Sequence, residues 1–155
     1  MKHTLVFHII GLSRKIQKQI GLKSKPLSLS YSQASTLLVI DSFQEVSQSQ
    51  IAQNIHLEPA SVVALIDELE RLKLVKRQAA GGDRRKYHVV LTPNGGLKAK
   101  MIREKINTLD KLIKDQFPDE QIRNFTRVLE ELNSLFEITK GGENEISGAK
   151  RHLAA

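Results

Sequence analysis

No cysteine occurs among the 155 residues. Disulfides, thiol redox sensing, a thiolate nucleophile and cysteine-ligated zinc are therefore excluded, and nothing marks an oxidising compartment. No stretch comes near the roughly 20 consecutive apolar residues of a bilayer-spanning helix. The apolar opening Leu5-Val6-Phe7-His8-Ile9-Ile10 is interrupted by His8, and no small-residue cleavage site follows. A signal peptide is accordingly not expected, and a cytoplasmic location is. His3 and His8 miss the roughly four-residue spacing that puts two ligands on one helical face. His56, His88 and His152 stand apart, with no paired carboxylate to complete a metal site, so no metal is expected. No nucleophile–base pairing, glycine-rich phosphate loop or carboxylate dyad is recognisable, so neither an enzyme nor a cofactor is expected.

Acidic residues are scarce in one place above all. From Arg71 to Lys86 there are seven Lys or Arg and a single acidic residue, Asp83. The whole chain carries a net charge of +7 with a pI near 9.7. That balance suits an anionic partner without choosing between nucleic acid, a membrane surface and plain solubility. The length suits one domain able to bury about two-thirds of its unfolded surface.

Periodicity predicts a first helix over residues 4–20, with Leu5, Ile9, Leu12, Ile16 and Ile20 on one stripe. A connector with Lys25-Pro26 leads to Ser30, which with Gln33 forms a capping box for a second helix whose apolar face is Ala34, Leu37, Leu38 and Ile40. Ser47 and Gln50 repeat the box for a short helix, Gln48 to Ile55. After His56-Leu57-Glu58, Pro59 suits the first turn of the next helix, where its missing N–H costs nothing. That helix, ending near Leu74, buries Val62, Leu65, Ile66, Leu69 and Leu72. Two helices joined by so short a turn make a helix-turn-helix. Val75-Lys76-Arg77-Gln78 and Lys86 to Leu91 read as two strands around a turn at Ala79-Ala80-Gly81-Gly82-Asp83. Thr92-Pro93 opens a long helix to about Gln116, Pro118 breaks it, and a last helix covers residues 119–139.

The expected organisation is residues 1–29 as an N-terminal helix and connector, 30–92 as the helix-turn-helix with its hairpin, 93–140 as C-terminal helices, and 141–155 as a flexible polar tail, all within one structural domain. The end helices carry more apolar surface than a small domain covers, which leaves intramolecular packing and a homodimer as alternatives; the homodimer is preferred. A homodimer would set two such helices about 34 Å apart, one DNA turn.

This order of elements, with Leu29-Ser30-Tyr31-Ser32-Gln33, Ser49-Gln50-Ile51-Ala52, Leu74-Val75-Lys76-Arg77, Asp83-Arg84-Arg85 and Leu91-Thr92-Pro93-Asn94-Gly95, resembles the MarR family of bacterial winged-helix regulators over roughly residues 5–138. The resemblance implies a mainly α fold with a small β-wing, in which the N- and C-terminal helices form a dimerisation region. It further implies a cytoplasmic regulator, commonly a repressor, that binds a palindromic operator in double-stranded DNA and releases it when a small, often phenolic, effector binds.

On this reading the recognition helix presents Pro59, Ala60, Ser61, Val63, Ala64, Asp67 and Arg71 to the DNA, and its free N–H groups suit a phosphate. Gln48 and Ser49 are placed to touch the backbone. Lys73, Lys76, Arg77 and Lys86 add charge, and the resemblance assigns Arg84 or Arg85 to the minor groove, with Asp83 holding an arginine such as Arg77. Many family members carry an arginine where this chain has Ala64, and glycine where it has His56 and Lys73. Arginine and asparagine are the usual base-discriminating side chains, and this face lacks both in its first two turns. A tolerant, A·T-preferring binder is expected, reading shape and thymine methyls. Asp67 and Arg71, four apart, are positioned to pair with each other. Possible effector-pocket walls are His8, Leu12, Tyr31, Ile40 and Phe43. The rival readings are a non-specific DNA-coating protein and a protein–protein module on the same scaffold.

Overall fold

The computed structural model describes residues 4–23, 25–80 and 83–138. Element order is α1 (Leu5–Ile20), α2 (Tyr31–Phe43), β1 (Val46–Ser47), α3 (Gln48–Ile55), α4 (Pro59–Arg71), β2 (Val75–Ala80), β3 (Asp83–Leu91), α5 (Pro93–Lys114) and α6 (Asp119–Ile138). The result is a mainly helical fold with a small antiparallel sheet in the order β1-β3-β2, the winged helix-turn-helix class that the sequence predicts. No described helix is long and apolar enough to cross a membrane.

The chain divides into two compact units, Met1–Leu109 and Asp110–Ala155. In the first, the core is built from α2 (Ala34, Leu37, Ile40), α3 (Ile51, Ala52), α4 (Val62, Ile66, Leu69), the sheet (Val46, Val75, Val89) and α5 (Ala99, Ile102). Leu22, Leu27 and Leu29 of the connector close it from the side of α1. Lys98 ties α5 to the same connector, its Nζ donating to the carbonyls of Pro26 (2.8 Å) and Leu27 (2.6 Å). Arg103 of α5 pairs with Asp41 of α2 at 2.6 Å. In the second unit α6 carries a regular apolar stripe, with Ile122 and Leu132 half-buried and Phe125, Val128 and Leu129 exposed.

Both capping boxes form. Ser30 accepts from the Gln33 N–H while the Gln33 side chain accepts from the Ser30 N–H, and Ser47 and Gln50 do the same. Each satisfies two N–H groups that the first turn of a helix cannot. His56 takes the left-handed conformation at the end of α3, φ 53°, which histidine tolerates better than most side chains.

Three expectations require correction, and one strand was not expected. The two-residue strand β1 carries no alternation that could announce it. The fourth helix ends at Arg71, and Leu72, expected inside, is 38% exposed. The turn expected over Ala79 to Asp83 is narrower, because β2 runs to Ala80 and β3 starts at Asp83. The long helix stops at Lys114. Gly81, Gly82 and the tail 141–155 lie outside the described residues.

Candidate nucleic-acid interface

The exposed N-terminal face of α4 consists of Pro59, Ala60, Ser61, Val63 and Ala64. It stands free because Val62, Ile66 and Leu69 turn the opposite face into the core. Pro59 at the first helical position donates no N–H, and among the described residues no side chain caps this end from Glu58. Ser49 at the start of α3 is exposed, and Gln48 beside it is half-buried.

The other end of α4 closes in a Schellman motif. The Lys73 N–H donates to the Glu70 carbonyl (2.8 Å) and the Leu74 N–H to the Leu69 carbonyl (2.9 Å). Lys73 occupies the left-handed position that glycine normally fills, φ 57°. Directly after it, β3 and α5 fasten the base of the hairpin. The Thr92 N–H donates to the Leu74 carbonyl (3.0 Å), the Thr92 hydroxyl to the Lys73 carbonyl (2.7 Å), and the Gly95 N–H to Thr92 Oγ1 (3.1 Å). Gly95 is buried here, and its lack of a side chain is required because any Cβ would land on the Leu74 carbonyl.

Within the hairpin, Ala79 pairs with Tyr87 but Ala80 pairs with Asp83. The register thus steps past Arg84, Arg85 and Lys86, the irregularity expected of a bulged strand. The side chains of Asp83, Arg84, Arg85 and Lys86 lie outside the described residues.

Arg77 is engaged within the protein. Its Nη1 bonds Glu70 Oε2, and its Nη2 donates to Asp67 Oδ1 at 2.7 Å. Its backbone N–H donates to Glu70 Oε1 at 2.8 Å. The Gln48 amide oxygen, oriented by the same network, accepts from Arg77 Nε (3.0 Å) and Nη2 (3.1 Å). One expectation changes accordingly: Asp67 pairs with Arg77 and not with Arg71, and among the described residues the carboxylates on Arg77 are Glu70 and Asp67 of α4. Arg71 lies 4.0 Å from Glu68, with its side chain 74% exposed, and Lys73 and Lys76 are exposed. Glu70 was not among the sequence-derived candidates. The crowding of Asp67, Glu68 and Glu70 just before the basic stretch is the signal that points to it.

The five residues expected around an effector are not gathered in either of the two described hollows. His8 and Leu12 line one hollow on α1, of about 500 Å³, with Phe7, Gly11 and Lys15. Tyr31 lines another of about 530 Å³, with Arg14, Gln17, Lys18 and Lys23. Ile40 is fully buried in the core and lines neither hollow, and Phe43 is exposed. Among the described residues no group of three His, Asp or Glu could hold a metal ion.

Residues 27–86 match the family model described as the MarR family. The fold is that of a winged helix-turn-helix. The MarR-family match starts in the connector and runs through α2, α3, α4 and the Asp83-Arg84-Arg85-Lys86 segment. Solved structures share the fold over more of the chain. FabT of Streptococcus pneumoniae, solved in complex with DNA, matches with a TM-score of 0.75 at 21% identity, covering 84% of this chain and 93% of that one. MepR of S. aureus, solved as a DNA complex, matches with a TM-score of 0.76 at 19% identity, over 87% of this chain and 99% of that one. MepR in a DNA-binding conformation gives 0.73 at 20% identity, over 86% and 99%.

Proposed function

We propose that this chain is a cytoplasmic transcription regulator that binds an inverted-repeat operator in double-stranded DNA as a homodimer, and that it represses until an effector binds. One observation carries the DNA-binding reading: the free N-terminal face of α4 and the basic hairpin are joined through a single rigid base at Lys73, Leu74 and Thr92. A helix held in a major groove and a wing held over the flanking minor groove need that fixed relation. FabT and MepR, its structural neighbours, are both solved with DNA. Dimerisation rests on the exposed apolar side chains of α1 (Leu5, Val6, Phe7, Ile9) and of α6 (Phe125, Val128, Leu129).

The docking assigns the major groove to Ala60, Ser61, Val63 and Ala64, the minor groove to Arg84 or Arg85, and phosphates to Ser49, Arg71, Lys73, Lys76 and Lys86. A phenolic effector would fit the hollow beside Tyr31, where Arg14, Lys18 and Lys23 supply positive charge. It acts only by binding two arrangements of the recognition helices with different affinity.

A second reading, a DNA coater without operator preference, is favoured by the small, apolar reading face of α4. Selection of sites from a random duplex pool at near-physiological salt separates the two. An A·T-rich inverted repeat with half-sites about one turn apart is the result expected of the regulator. Bound but unenriched duplex supports the coater, and no bound duplex overturns both. Arg84→Ala or Arg85→Ala is expected to weaken binding clearly.

A further inference from the structure

We propose that Arg77 is a positioning residue for DNA binding, holding the wing against the recognition helix while other cations meet the phosphates. The inference rests on the DNA-binding reading above. By charge and place in the sequence, Arg77 belongs with Lys73 and Lys76 as a phosphate contact. Its surroundings assign it another task.

Arg77 stands in register with Val89 of β3, which in turn faces Val46 of β1. Alternation along a strand therefore puts its side chain on the sheet face that carries those two buried valines. The side chain is 23% exposed, against 74% for Arg71. A guanidinium offers five N–H donors in a fixed plane. Here those donors reach Glu70 and Asp67 on α4 and Gln48 on α3, so one planar group spans three elements. Glu70 also accepts the Arg77 backbone N–H. β2 is an edge strand, and an edge strand presents backbone groups that the sheet does not satisfy. Glu70 thus fixes both the backbone and the side chain of Arg77 to the recognition helix. Turning the guanidinium toward a phosphate would break this arrangement and leave two carboxylates uncompensated.

The two roles predict opposite signs for one substitution. Glu70→Gln removes a negative charge beside the interface. If Arg77 contacts phosphate, the change frees it and tightens binding. If Arg77 positions the wing, the same change loosens the wing and weakens binding. Affinity of the full chain for its selected duplex is measured across a salt series, with thermal unfolding as a check on folding. Glu70→Gln and Arg77→Lys are each expected to weaken binding roughly tenfold, as coupling within one network allows. The slope of log affinity against log salt should be unchanged in both, whereas a lost phosphate contact lowers it by about one. Lysine keeps the charge but is a point donor that cannot reproduce the planar fork. Asp67→Asn alters an exposed partner, 60% accessible, and is expected to act in the same direction with a smaller effect; it serves as the readout should Glu70→Gln not fold. Tighter or unchanged binding in Glu70→Gln, or in Asp67→Asn where that is the readout, overturns the proposal. So does wild-type affinity in Arg77→Lys. Failure of the unaltered chain to bind any duplex overturns the DNA-binding reading itself, and this proposal with it.

Discussion

On α4, Val62, Ile66 and Leu69 are wholly enclosed, while on α6 Phe125, Val128 and Leu129, at the same kind of helical spacing, are 38% to 54% exposed. The two stripes are equally legible in the sequence. What differs is the cover: α2, α3 and β2 pack against α4, so its apolar residues meet the core within their own unit. A helical period therefore reports that a face excludes water and is silent about which surface excludes it. α1 makes the point within a single helix. Ile20 packs against the core, whereas Leu5 and Phe7 are about two-thirds exposed.

Truncation separates the two stripes most sharply. Ile66→Ala is expected to lower the unfolding free energy by about 3 kcal/mol, within the range for a buried aliphatic side chain, as read by urea unfolding. Phe125→Ser combined with Leu129→Ser should leave the unfolding of the core-bearing unit within about 0.5 kcal/mol of the parent. On the proposed homodimer reading it should instead shift the sedimenting species from dimer to monomer. A dimer that survives the double change breaks the contrast. Gly95→Ala tests cover of another kind, backbone against backbone. Its added methyl meets the Leu74 carbonyl, and a loss toward the upper end of about 1–3 kcal/mol is expected from overpacking. The smallest effect, and a favourable one, belongs to Lys73→Gly. Relieving a left-handed lysine at φ 57° should raise stability by about 1 kcal/mol, while DNA binding loses part of its salt dependence.

Local signals carried much of the fold. Ser30 with Gln33 and Ser47 with Gln50 marked two helix starts, and Thr92-Pro93 a third, because capping is a matter of residues three apart. Long-range pairing was less visible. Nothing in Val46-Ser47 shows that these residues form a strand, since their partners Val89 and His88 lie far along the chain. The Arg77 network escaped for a related reason. The residues that fix Arg77 sit on the preceding helix, seven and ten positions back, whereas the resemblance named only Asp83 as its partner. Ile40 illustrates a third limit. Periodicity showed that it is apolar and inward, but a core position and a pocket wall share that description.

Ser47 has a consequence for the order of folding. It is at once the last residue of β1 and the N-cap of α3. The capping box is made by neighbours and can close early, on the timescale of helix formation. The strand pairing must wait for β3 to arrive from beyond α4, a large loop closure in entropy. The start of α3 is thus marked by local chemistry, while a helix of 8 residues gains its stability and its direction in space only from the packing that the returning hairpin completes.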